Sequence, residues 1–234
     1  MKVLICNPDQ KEAAHIEALV KAFGKKTLIN LHTYIYDNPV DVAACGIRFD
    51  IAVIEVGMEE INGITLGKIL TKSIPYIKLI YISSQAKSLD DSFDVQAVRY
   101  YKRPYTEARF FTGLKEAIKR VDSETVCFDF KDDGAKIRIS KDEIIYIEIE
   151  NRKTKVVTKK GTYYAGHSMT FWKEHLHSVK FLVPHNSFII NIDYIVKYKR
   201  NQFIVMSNGD TISISRAKGV PFNDRYEAYQ ALMR

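Results

Sequence analysis

The segment Phe181-Leu182-Val183-Pro184-His185-Asn186-Ser187-Phe188-Ile189-Ile190-Asn191 sets three polar side chains, His185, Asn186 and Ser187, directly ahead of an apolar strand. Side chains so placed project from a loop that a rigid sheet holds still. A carboxamide there can pair side by side with an adenine edge, and the guanidinium of Arg216 can do the same with guanine. Between Glu150 and Arg200 there are ten basic residues against three acidic ones. Such a stretch either neutralises phosphates or forms a solvated basic face. Taken singly, each residue also has a plain structural role open to it. His185 can be a satisfied surface histidine, Asn186 and Ser187 can cap a turn, and Arg216 can serve a surface ion pair.

A second group of reactive types lies in the first half. Glu55 ends the apolar run Ile51-Ala52-Val53-Ile54, and Asn7, Pro8 and Asp9 follow another, Val3-Leu4-Ile5-Cys6. Ser83 follows Leu79-Ile80-Tyr81-Ile82, and Arg103-Pro104 comes later. Continuous apolar runs of this length read as strands buried on both faces. Helical spacing recurs between them: Ala14, Ile16, Leu19, Val20 and Phe23 within Lys11 to Phe23, then Gly63 to Leu70 and Ala108 to Val121. Strands alternating with helices imply a doubly wound α/β parallel sheet, ending near residue 121.

From Thr125 onward the period is two, as in Lys136-Ile137-Arg138-Ile139 and Glu143-Ile144-Ile145-Tyr146-Ile147-Glu148. Turn signals at Asp132-Asp133-Gly134, Lys159-Lys160-Gly161 and Ser207-Asn208-Gly209-Asp210 separate these runs. Apart from a short helical piece over Met169 to His177, strands are expected throughout. The expected domains are therefore 1–121, α/β, and 125–234, all-β.

Composition narrows the classes. Hydrophobic residues at 46% and charged residues at 27% fit a folded chain, and the net charge of +7 favours polyanionic partners. No apolar window is long enough to span a bilayer, so no membrane is expected. Three widely spaced cysteines form no CxxC pair, and the N-terminus lacks a signal peptide's apolar core, so a reduced, cytoplasmic protein is expected. There is no Gly-rich phosphate loop and no cluster of metal ligands; His167 is isolated, and His175 and His177 point to different helix faces. Neither an enzyme nor a cofactor is expected.

The His185-Asn186-Ser187-Phe188 step and the apolar strand ending in Asn191 resemble the signature of LytTR DNA-binding domains. Ile144-Ile145-Tyr146-Ile147-Glu148 resembles that family's early strand, and Ile212-Ser213-Ile214-Ser215-Arg216 its closing strand. The resemblance implies double-stranded DNA as partner, with contacts from His185, Asn186, Arg216 and the loop Asn151-Arg152-Lys153-Thr154-Lys155. Thr154 stands where some relatives carry a base-contacting histidine. The first half, through Asp50 to Gly63, resembles response-regulator receiver domains, which capture phosphoryl groups on an aspartate beside Mg²⁺. Here Glu55 replaces that aspartate, Asn7 and Pro8 replace the acidic pair with Asp9 retained nearby, Ser83 keeps the hydroxyl position and Arg103 replaces the lysine. The implied protein is a homodimeric regulator whose degenerate receiver works without phosphorylation, as a dimerisation platform or as a dock for a peptide, small ligand or protein. The other reading is an interaction module that binds no DNA and sequesters an intact regulator.

Overall fold

Apolar residues run without alternation through β1 (Lys2–Cys6), β3 (Ile51–Glu55) and β4 (Lys78–Ser83), and these strands form the middle of a parallel sheet. The computed structural model describes residues 1–83, 97–123, 126–132, 135–176 and 178–233. Two compact units divide the chain, Met1–Ser123 and Glu124–Arg234.

In the first unit the strand order is β2-β1-β3-β4-β5, with β2 over His32–Tyr36 and β5 over Arg99–Lys102. This is the doubly wound order whose switch point lies between β1 and β3, so a crevice opens at the carboxyl ends of those strands. Every residue of β3 is buried, as a strand covered on both faces requires. β2 and β5 are the two edges, and their mixed polar sequences carry no apolar run.

Helix α1 (Gln10–Thr27) buries Ala13, Ile16, Leu19, Val20 and Phe23, so Ala13 takes the core position expected of Ala14. Asp9 caps it, accepting from the Lys11 and Glu12 amides. Helices α2 (Pro39–Ala44), α3 (Gly63–Ser73) and α4 (Glu107–Asp122) are capped likewise by Asn38, Asn62 and Thr106. The start of α3 presses on the end of β3. A Cβ on Gly63 would lie 2.1 Å from the Glu55 carbonyl oxygen, which is backbone and has nowhere to go. Gly63→Ala is expected to destabilise this unit by about 2 kcal/mol or more, read by urea denaturation; an unchanged midpoint would show that the two elements can part freely.

The second unit is built on a five-stranded antiparallel sheet in the order β10-β9-β8-β12-β11. Its strands are β8 (Ile144–Glu150), β9 (Lys153–Thr158), β10 (Thr162–Ala165), β11 (Phe181–His185) and β12 (Phe188–Asn191). One face packs Tyr146, Val157, Leu182 and Ile190 against Ile204, Met206, Ile212 and Phe222. Those partners come from β14 (Phe203–Met206) and β15 (Thr211–Ser213), which form a three-stranded sheet with β13 (Ile195–Lys199), and from helix α6 (Gly219–Met233). The other face packs Ile147, Val156 and Ile189 against Trp172 of helix α5 (Met169–His175) and Phe130 and Ile139 of the hairpin β6–β7 (Cys127–Asp132, Ala135–Ser140). With both faces covered, the run Ile144 to Ile147 is buried throughout and loses its alternation.

The antiparallel architecture is the expected one, with one omission. α6 is a helix of 15 residues where only strands were expected. Gly219 and Pro221 read as turn punctuation, yet Pro221 sits in the first turn, where an amide hydrogen has no helical partner to lose. The turns at Lys159-Lys160-Gly161 and Ser207 to Asp210 stand between strands as expected. Asp133 and Gly134 of the third expected turn, and His177, lie outside the described residues.

Candidate nucleic-acid interface

Two antiparallel pairings place the polar turns together. Strand β8 leads into β9 through Asn151 and Arg152, and Glu150 faces Lys153 across the hairpin. β12 runs against β8 with Phe188 opposite Glu148, so the Asn186-Ser187 turn entering β12 lies at the same end of the sheet. The Ile149 amide donates to the Ser187 carbonyl at 3.0 Å, tying one tip to the other. Beyond β11, the Ser215 amide donates to the Pro184 carbonyl at 3.0 Å and brings Arg216, in a short 3₁₀ turn, beside His185. On the opposite flank Ala165 pairs with Thr154, so Gly166 and His167 leave β10 at this same end. One end of the sheet therefore carries a row of tips: His167, Asn151-Arg152, His185 to Ser187, Arg216. Four strand spacings of about 4.8 Å make the row about 19 Å wide from β10 to β11.

The side chains on this row differ in freedom. Asn151, Arg152, Lys153, His185, Asn186 and Arg216 are exposed. Asn151 and Arg152 both have positive φ, 50° and 65°, the pair that a two-residue turn matching the strand twist requires. Glycine is the ordinary occupant of the second position, and arginine there costs about 1 kcal/mol. Among the described residues neither Arg152 nor Arg216 has an ion-pair partner. The Ser187 amide donates to His185 Nδ1 at 3.2 Å, which leaves the imidazole hydrogen on Nε2 as an outward donor.

Two residues expected on the interface are not available to it. Thr154 is 3% exposed. Its hydroxyl donates to the Ala165 and His167 carbonyls at 3.1 Å each and accepts from the Trp172 indole at 3.0 Å. The expected loop over residues 151–155 is only a two-residue turn, and Thr154 already belongs to β9 with its side chain turned into the α5 face. Lys155 is exposed in part, but its ammonium lies 2.8 Å from Glu148 and 3.2 Å from Glu150. The Glu148 hydrogen bond, resisted by burial and aided by Glu150, holds its pKa well above the usual lysine range. Its charge is already satisfied. Asn191 is wholly buried and structural, donating to the Ile144 carbonyl at 3.0 Å.

Residues 134–227 match the family model described as the LytTr DNA-binding domain. The second unit is a LytTR domain. A sensory transduction protein LytT from Bacillus cereus is 22% identical over 188 residues, covering 72% of this chain and 76% of the relative. The transcriptional regulatory protein YpdB of Escherichia coli K12 is 21% identical over 211 residues, covering 83% and 84%. Among solved structures, the LytTr DNA-binding domain of a putative methyl-accepting/DNA response regulator from Bacillus cereus aligns with a TM-score of 0.41 at 20% identity, covering 44% of this chain and 97% of that one. The sequence by itself offers no reason to place His167 in this row of tips. Nothing local marks it, because its place in the row is set by the pairing of β10 with β9.

The first unit, with its receiver-like topology, gathers the other candidates at the crevice. Asn7 directly follows β1, Glu55 ends the adjacent strand β3, and the Arg103 amide donates to the Ser83 carbonyl at 2.9 Å. Glu55, 7% exposed, is ion-paired through Oε2 with the Arg103 guanidinium, and its Oε1 accepts from the Gly57 amide at 3.2 Å. Arg103 also donates from Nε to Glu12 at 3.2 Å, and the Tyr105 hydroxyl donates to the same Glu12 oxygen at 3.0 Å. Burial pulls the Arg103 pKa down, and Glu55 with Glu12 more than offset this, so it stands raised. Burial, then Glu12, push the Tyr105 hydroxyl well up. Burial, then Asp37, push the neighbouring Cys6 thiol up to about 12, which keeps it protonated and inert.

A divalent cation of the kind receivers use does not fit these donors. Asn7 is neutral; its Oδ1 accepts from the Asp9 amide at 2.9 Å, and its buried amide nitrogen, which has no partner among the described residues, is a hydrogen-bond donor. Pro8 offers no ligand, Asp9 is spent capping α1, and Glu55 faces a guanidinium. Among the described residues no group of three or more His, Cys, Asp or Glu could hold a metal.

Proposed function

We propose that the chain is a sequence-specific, DNA-binding transcription regulator whose receiver-like unit acts without phosphotransfer. The observation that carries the DNA reading is the row of tips at one end of the LytTR sheet, with exposed guanidinium, imidazole and carboxamide groups at Arg152, His185, Asn186 and Arg216. A row about 19 Å wide exceeds a major groove of about 12 Å, so it must cross a phosphate backbone to reach both flanks. In this reading Arg216 and Asn186 address base edges, His185 donates from Nε2, and Arg152 and Lys153 neutralise phosphates, with Asn151 shaping the tip that carries them. Thr154 and Lys155 have no part in it. A homodimer in the cytoplasm, meeting paired half-sites, is the assembly this reading uses, and the receiver-like unit is its dimerisation platform or its dock for a peptide, small ligand or protein.

Duplexes selected from a random library should bind tightly, with an affinity that falls steeply as salt rises. Failure to enrich any sequence would remove the claim of specificity. For the receiver-like unit, incubation with acetyl phosphate and Mg²⁺ followed by intact-mass measurement should show no adduct. A stable phosphoryl group on Glu55 would overturn phosphorylation independence.

A further inference from the structure

Resting on the DNA-binding reading, we infer that His167 touches DNA directly and supplies, on the β10 flank, the contact that Thr154 cannot make. The burial of Thr154 has a consequence for its neighbour. Its hydroxyl donates to the His167 carbonyl at 3.1 Å, which ties the His167 backbone to position 154. The Thr154 hydroxyl is itself held by the Trp172 indole at 3.0 Å, so the anchor reaches into the core.

The ring of His167 is held as firmly as its backbone. It stacks on Phe171 with centroids 3.9 Å apart and planes 14° from parallel, and it stands edge-on to Trp172 at 5.9 Å. His175 lies stacked on Phe171 as well, at 4.0 Å and 18°. An exposed imidazole normally loses much of its rotamer freedom on binding, which weakens the contact it makes. Here stacking has already removed that freedom while the residue remains exposed. The residue sits at the outer end of the row, on the far side of Asn151-Arg152 from Asn186. A groove reader at Asn186 and a backbone crossing at Arg152 leave the His167 tip facing the next stretch of the same duplex. A rigid N–H donor there suits a phosphate oxygen, so its loss should weaken binding to all sequences alike.

Four variants of the full chain separate contact from packing. His167→Ala removes ring and donor. His167→Phe keeps a stacking ring and removes the donor. His167→Gln keeps a donor and removes the stack. Arg216→Ala tests the DNA reading itself. Affinities are measured by fluorescence anisotropy on the selected duplex and on a scrambled one, with melting temperature as the check on folding. His167→Ala and His167→Phe should each lose about tenfold on both duplexes, and His167→Gln should recover part of that loss. If His167→Phe binds like the parent, the ring serves only to stack and the inference falls. It falls too if all three His167 variants bind like the parent while Arg216→Ala does not, and the DNA reading then survives. If Arg216→Ala and the His167 variants all leave affinity unchanged, the row of tips is not the face that meets DNA, and the inference falls together with the role given to Arg216.

Discussion

Arg103→Met should destabilise the receiver-like unit by about 3 kcal/mol, the lower end for breaking a buried ion pair, because Arg103 itself retains 29% exposure. The loss comes from what stays behind. Glu55, 7% exposed, would keep only the Gly57 amide as a donor, and Glu12 would lose the cation it shares. A carboxylate stranded in that crevice costs more than the pair ever contributed. The double variant Arg103→Met with Glu55→Leu should therefore recover most of the lost stability, since neither charge remains. Far-UV circular dichroism follows the helices of both units, α1 and α4 of this one among them. The only tryptophan, Trp172, reports the LytTR domain separately. A single variant as stable as the parent, or a double variant as unstable as the single, would show that the pair does not hold the crevice.

Arg216→Ala should weaken binding to the selected duplex by about 10- to 100-fold, the range for losing one bidentate base contact, with far less effect on scrambled DNA. Equal loss on both would reassign Arg216 to the phosphates. Arg152 gives the instructive contrast. In Arg152→Gly the turn receives the residue its left-handed backbone favours, so the domain should gain about 1 kcal/mol of stability. DNA affinity should fall at the same time on both duplexes. Opposite signs for stability and binding would mark a residue kept at a local conformational cost for its charge; a gain in stability with no loss of affinity would mark a turn that is merely suboptimal.

The amino-acid sequence determined a good deal. Buried β3 and β4 were legible because a strand covered on both faces needs no alternation, and the parallel sheet followed from the helices between them. The LytTR assignment was legible in three ordered segments, and the absence of a carboxylate at the two positions directly after β1 was legible from Asn7 and Pro8 alone, since side-chain chemistry needs no coordinates. Tertiary structure decided the rest. Thr154 reads as a loop residue because the Asn-Arg turn is only two residues long, and a one-residue difference in register moves a side chain from solvent to core. α6 was hidden because its first turn contains Gly219 and Pro221, and its packing against β11 and the sheet face that carries Tyr146 and Ile190 is a long-range event. His167 was silent for the same reason, its place in the row depending on which strand lies beside β10. Pairing partners far apart in sequence set which tips share an edge, and no local pattern records them. What the chain can present to DNA was written residue by residue; which of those residues stand in line was settled only when β8, β9, β10, β11 and β12 came together.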